Sequence, residues 1–145
     1  MYPANITRAE AEQRSRGLTV QSYEVLVDLS GRVADADDTG SQETFVSSSK
    51  VTFSSEDAAD TYLNLIADRL LSATLDGEPL DPAAFADHKM YFTAAPGQHE
   101  LEAVAVCRYS NTGEGLHRFV DPVDGRVYLY TQFETADARR MYACF

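Results

Sequence analysis

The chain has 145 residues, of which 44% are hydrophobic and 24% charged, with 23 acidic side chains against 12 basic ones and a net charge of −11. This balance predicts one globular domain that buries about two-thirds of its unfolded surface without disulfides or metals, and it excludes a chain too polar to fold. The acidic field disfavours nucleic acid and anionic membrane surfaces as partners.

Arg8, Glu10, Glu12, Arg14 and Arg16 interrupt the start of the chain, so no apolar stretch there reads as a signal peptide, and no run approaches membrane-spanning length. Cys107 and Cys144 are the two cysteines, too few and too far apart for a disulfide framework or a paired-cysteine metal site. A reducing, cytoplasmic location is expected. Asn5-Ile6-Thr7 matches a glycosylation sequon, which without a secretory signal is read as chance.

In chain order, Thr7-Arg8-Ala9-Glu10 has capping-box spacing and Gly17 supplies a stop, predicting a short helix from about 7 to 16. Its apolar stripe is weak, so it is expected on the surface or docked against something outside the chain. From Ser22 the period changes to two, with Tyr23, Val25, Val27 and Leu29 on one face of a half-buried strand. A polar turn over 35–40 follows, and Phe45, Val51 and Phe53 resume the alternation through a serine-rich segment.

Residues 61–66 and 69–75 are further strand candidates, with helix as a rival reading over 57–71. Asp76-Gly77 is a tight-turn signal, because both central positions favour positive φ. Residues 89–93 and 100–109, either side of Ala95-Pro96-Gly97, are expected to form an antiparallel pair. The last strand, 127–133, follows the turn Asp121-Pro122-Val123-Asp124-Gly125. Residues 136–143 read as helical with Thr135 as a cap. Seven or so short strands predict a mainly β fold, an antiparallel sandwich or curved saddle-like sheets with short flanking helices. The chain stops on an apolar Cys144-Phe145 pair, which is expected of a polypeptide that has been cut.

The sequence carries few residues in patterns that support chemistry. None of His88, His99 and His117 stands four residues from another, so no zinc face forms on a helix. His99 is placed in a strand and the other two near turns, as polar packing or surface residues. Asp38-Thr39-Gly40-Ser41 copies a short aspartic-protease signature but sits in an acidic loop instead of following an apolar strand. Asp35-x-Asp37-x-Thr39-Gly40 imitates the start of a calcium loop whose twelfth position would be Val46, which cannot bind the ion. Gly113-Glu114-Gly115 lacks the third glycine of a dinucleotide loop, and no Gly-x-Ser-x-Gly elbow occurs. No catalytic residue and no metal ligand is assigned in this chain.

Two segments are more particular. Tyr109-Ser110-Asn111-Thr112-Gly113-Glu114-Gly115-Leu116-His117-Arg118-Phe119 and Tyr128-Leu129-Tyr130-Thr131-Gln132-Phe133-Glu134-Thr135-Ala136-Asp137-Ala138-Arg139-Arg140 resemble the N-terminal domain of a bacterial aminopeptidase N, a zinc metallo-aminopeptidase of the gluzincin type. The second is similar to the family's Thr-Gln-x-Glu hairpin, which reaches into the active site. The likeness extends more loosely to the start of the chain, through Thr7-Arg8-Ala9-Glu10-Ala11 and the strand from Ser22. Two departures are Ala143, where many relatives have proline, and the loss of the Asp-x-Pro that usually follows Cys-Phe.

The resemblance implies that residues 1–145 are one front β-domain of a larger chain. The zinc of the full-length enzyme would be bound by a catalytic domain of the same polypeptide, since the His-Glu-x-x-His helix and the Gly-x-Met-Glu-Asn strand do not occur here. It implies peptide substrates with a free amino terminus, whose ammonium group Glu134 would receive while Gln132 lines the pocket for the first side chain. Period-two geometry puts both residues on one face of the strand. A structural role at the start of the following helix is the plainer alternative for Glu134. Arg139 and Arg140 read equally as anchors to an acidic partner domain or as surface charges. The rival for the whole chain is a free-standing β-sandwich adaptor that binds protein or carbohydrate through loops 35–43 and 110–118.

Overall fold

In the computed structural model, residues 5–31 and 42–145 are described. The acidic turn over 35–40 and both motif look-alikes that depend on it lie outside them. The fold is mainly β, as the alternation predicts. Among the described residues helix α1 (Arg8–Ser15) precedes ten strands: β1 (Leu18–Asp28), β2 (Thr44–Ser55), β3 (Ala59–Asn64), β4 (Arg69–Leu75), β5 (Glu78–Pro79), β6 (Phe85–Ala86), β7 (Lys89–Ala94), β8 (Gly97–Arg108), β9 (Gly115–Val120) and β10 (Val127–Gln132). They form a five-stranded sheet in the order β1-β2-β8-β4-β5, a three-stranded sheet β3-β7-β6 and a two-stranded ribbon β10-β9, and each pairing between these strands is antiparallel.

The core lies between the first two sheets. Val51, Phe53, Leu101, Ala103 and Cys107 come from one and Leu63, Met90, Phe92 and Ala94 from the other. Each lies on the inward face of an alternating strand, most plainly in β8, where His99, Leu101, Ala103 and Ala105 are buried in turn. The segment 57–71 is strand on both sides of a short link, and its helical rival is excluded.

One pairing differs from expectation. β7 and β8 do not bond to each other: β7 lies between β3 and β6, and β8 between β2 and β4. Alternation reports which side chains point inward, and β7 and β8 both satisfy it by facing each other across the core. Pro96, which has no N–H to give a ladder, and Gly97, at φ +128°, carry the chain across from one sheet to the other.

The serines of β2 have a structural reason. Ser47 and Ser49 are buried on the same face as Phe45, Val51 and Phe53, where the chain's last residues cross them. The Ala143 N–H donates to Ser49 Oγ at 2.9 Å, Cys144 bridges to Asn64, and Phe145 packs edge-on to Phe53 at 5.2 Å. Ser49 is small enough to leave room for the crossing backbone, and its hydroxyl satisfies it.

The same crossing corrects the expected helix over 136–143. It reduces to one 3-10 turn, Asp137–Arg140, with Ala136 before it and no side-chain cap from Thr135. Beyond it the backbone at Ala143 and Cys144 bonds to Ser49 and Asn64 instead of continuing the helical pattern. Helix α1 forms with its capping box, Glu10 N–H donating to Thr7 Oγ1 at 3.2 Å and Thr7 N–H to Glu10 Oε2 at 2.7 Å. It docks on this chain's own β3, through Arg14 bonded to Asn64 Oδ1 at 2.8 Å and lying over the Tyr62 ring at 4.8 Å.

Candidate functional site

The β9–β10 ribbon carries the residues singled out by sequence. Its register pairs Val120 with Val127 next to the turn and Gly115 with Gln132 at the base. The turn is closed by Asp121, whose carbonyl accepts from Gly125 N–H and whose carboxylate accepts from Val123 N–H, both at 2.8 Å. This is the work that aspartate does in turns. His117 lies in strand β9 and, near a turn as expected, its Nδ1 accepts from Gly113 N–H at 3.1 Å in the bend that precedes the strand.

Alternation along the ribbon gives it two faces. One carries Gln132, Tyr130, Tyr128, His117 and Phe119, with the His117 and Tyr130 rings stacked at 4.7 Å. All six residues of β10 are exposed, and so are Phe119 and Val120 opposite them. The sequence marks Tyr128 to Tyr130 as part of the last strand and of the segment resembling aminopeptidase N, but assigns their side chains no role of their own. The signal for one is that Val127-Tyr128-Leu129-Tyr130 is apolar at successive positions, so both faces of an uncovered strand are apolar.

The strand ends at Gln132, one residue earlier than expected, and Glu134 lies in the turn beyond it. The two are brought together by a local bond: Glu134 N–H donates to Gln132 Oε1 at 3.0 Å. Both residues are exposed. The Gln132 amide oxygen is thereby engaged with backbone, leaving its NH2 group to donate outward. The Glu134–Thr135 peptide is cis.

This turn is fixed from behind. Asp137 N–H donates to the Phe133 carbonyl at 2.9 Å, the Phe133 ring packs edge-on to Tyr142, and Tyr142 packs edge-on to Tyr23. A β-carbon on Gly115 would stand 2.7 Å from Arg140 Cβ, so the absence of a side chain lets the 3-10 turn close on the base of the ribbon. Arg139 and Arg140 are both used within this chain. Arg139 is buried, bonding Asn5 Oδ1 at 2.7 Å and, through its carbonyl, Ile66 N–H, and Arg140 pairs with Asp137 at 2.8 Å.

Other chemistry is muted. Burial pushes the Cys107 thiol up to about 12 and the Cys144 thiol up to about 11, which keeps both protonated and poorly nucleophilic at neutral pH. Among the described residues no group of three His, Cys, Asp or Glu is placed to hold a metal ion, and no helix is long and apolar enough to cross a membrane. A cleft of about 540 Å³ lies between α1 and β3, lined by Glu10, Arg14, Asp60 and Tyr62 among others. It lies apart from Gln132 and Glu134, which occupy open surface.

No family model matches the chain. Aminopeptidase N of Streptomyces lividans is 47% identical to it over 150 residues, a match that covers 100% of this chain and 16% of that protein. The chain thus spans about one-sixth of the length of that relative. It is a relative of aminopeptidase N along its whole length, consistent with an amino-terminal domain fragment of such an enzyme.

Proposed function

We propose that the chain is the front domain of a cytoplasmic zinc aminopeptidase that removes residues from the amino end of peptides. In this reading Glu134 receives the free ammonium group, Gln132 lines the pocket for the first side chain, and the ribbon packs against a catalytic domain of the same polypeptide and shields its active site. The observation that carries it is the placement of Glu134, exposed beyond the end of β10 with its N–H tied to Gln132. Among the described residues its carboxylate has no hydrogen bond or ion pair of its own. The whole-chain likeness to an aminopeptidase N supports it.

An exopeptidase must measure from the substrate's amino terminus, and an ammonium group is what distinguishes that end. A carboxylate contact to it contributes about 1.5–3 kcal/mol, more once water is excluded. An acetylated peptide would leave the carboxylate buried and unpaired, which discriminates strongly. Likeness to aminopeptidase N implies zinc in the full-length enzyme, and the described residues of this chain do not fit that ion. No step of peptide hydrolysis is therefore assigned to them.

The test is a chimaera in which these residues replace the matching segment of the S. lividans enzyme. Glu134→Ala is expected to raise the Michaelis constant and lower turnover on unblocked aminoacyl amides, reducing kcat/KM about tenfold to a hundredfold. Gln132→Ala is expected to alter preference among first side chains. Unchanged kinetics for Glu134→Ala in an active chimaera would remove that residue from the role.

A further inference from the structure

The end of the sandwich away from the ribbon holds a side-chain cluster with no part in peptide recognition. His99, near the start of β8, is buried. Its Nδ1 lies 2.7 Å from Asp76 Oδ2, in the turn between β4 and β5, and its Nε2 lies 2.6 Å from the Ala95 carbonyl oxygen, in the crossing from β7 to β8. Asp76 is itself held, with Oδ1 accepting from Glu100 N–H at 2.8 Å and its own N–H donating to the Glu100 carbonyl. The imidazole thus joins the five-stranded sheet to the strand end of the three-stranded one.

Both partners of the ring are acceptors. A carbonyl oxygen has no proton to give, and a carboxylate has none when ionised. A neutral imidazole carries one N–H and one lone pair, so one of the two contacts would set lone pair against lone pair at hydrogen-bond distance. Only the doubly protonated ring satisfies both. We propose that His99 is held as an imidazolium in the folded chain and that its second proton closes a clasp between the two sheets, so that loss of this proton opens that end of the sandwich.

The surroundings agree. Phe53 of β2 lies opposite, its ring 5.3 Å from the imidazole, close enough for a cation to be favoured there. Phe92 of β7 and Phe145 pack on Phe53 and bring no charge of their own side chains. Asp76 is the charged group acting on the ring, while the neighbouring Glu100 side chain turns to Lys50 at 3.4 Å. Burial pulls the His99 pKa down, but the bonds to Asp76 and Ala95 and the Asp76 charge outweigh it, and the net displacement is upward. Burial likewise pushes Asp76 up and is outweighed by the Glu100 N–H and by His99, leaving it lowered.

The signs fix a pH window. A raised histidine gives stability that is fully present below its ordinary value of 6.5 and is lost as pH rises through the folded value. A lowered aspartate gives stability that is present above its ordinary value of 3.8 and is lost as pH falls through the folded value. The clasp is therefore complete in mildly acidic solution and weakens on either side.

Nitrogen-resolved NMR of the His99 ring in the intact chain tests this directly. Imidazolium shifts at both ring nitrogens are expected at about pH 6, with a transition midpoint above that of free histidine. One unprotonated ring nitrogen at that pH would overturn the proposal, as would a proton found on Asp76 instead. Urea unfolding gives a second reading. The midpoint of the parent is expected to fall between about pH 6 and about pH 9, and that fall should be smaller in His99→Gln. Equal falls in both chains would also overturn it, and should the variant not fold, the ring measurement on the parent decides.

Discussion

The sandwich and the ribbon are both built from alternating antiparallel strands, yet β8 hides every second side chain and β10 hides none. In the sandwich, a second sheet and the chain's last residues cover the inward faces of β2 and β8, while the edge strand β1 leaves Tyr23, Val25 and Leu26 exposed. In the ribbon, Tyr128, Tyr130 and Val127 of β10 and Phe119 of β9 remain exposed on two strands that, among the described residues, pair with no strand but each other. Apolar residues that bury little within the chain contribute little to folding, so their cost in solubility calls for another account. The proposed partner domain supplies one.

The comparison is broken most severely at the centre of the sandwich. Leu101 is wholly buried, and Leu101→Ala is expected to cost about 2–5 kcal/mol through lost burial and the cavity left behind. Leu129, on the ribbon and 37% exposed, should lose less than about 1 kcal/mol when changed to alanine. Urea midpoints of the two variants measure the contrast. Equal losses would mean that the ribbon is as much a part of the folding core as β8.

Much of this division was legible in the sequence, and its limits have physical causes. The capping box at Thr7 and Glu10, the Asp76-Gly77 turn and the inward faces of β2 and β8 follow from local geometry, which neighbouring residues determine. The partnership of β7 with β3 instead of β8 was not legible, because alternation fixes a face and not a hydrogen-bonded neighbour. The C-terminal segment misled for a related reason. Its helix-forming residues are held as one 3-10 turn and an extended tail by Ser49, Asn64 and Ile66, all more than seventy positions away in the chain. At the candidate site, the residue types Gln132 and Glu134 could be picked out, but the bond that joins them and the exposure of both strand faces could not.

A middle-sized effect sharpens the join between the two regions. Gly115 and Gly125 have nearly the same backbone angle, φ +69° and φ +71°. They differ in surroundings, since a β-carbon at Gly115 meets Arg140 Cβ at 2.7 Å and one at Gly125 meets nothing within 4 Å. Gly125→Ala should therefore cost only the backbone penalty, about 1 kcal/mol. Gly115→Ala should reach about 2–3 kcal/mol by adding a displacement of the 3-10 turn. Thermal or urea unfolding separates them, and equal costs would show that the turn yields freely.

The smallest expected effect bears most directly on what the ribbon is for. Tyr128 is 48% exposed and pairs across the ribbon with Phe119, so Tyr128→Ser should remove no more than a cross-strand contact, about 0.2–1 kcal/mol. A buried aromatic would cost about 3–5 kcal/mol in the same experiment. A small loss in the isolated chain, together with a larger one when the same change is made in the chimaera, would mean that the ring is buried only once the rest of the polypeptide is present. If the loss is equally small in both, water covers that face in either setting, and the ribbon's exposed aromatic side would not be the surface that meets a catalytic domain.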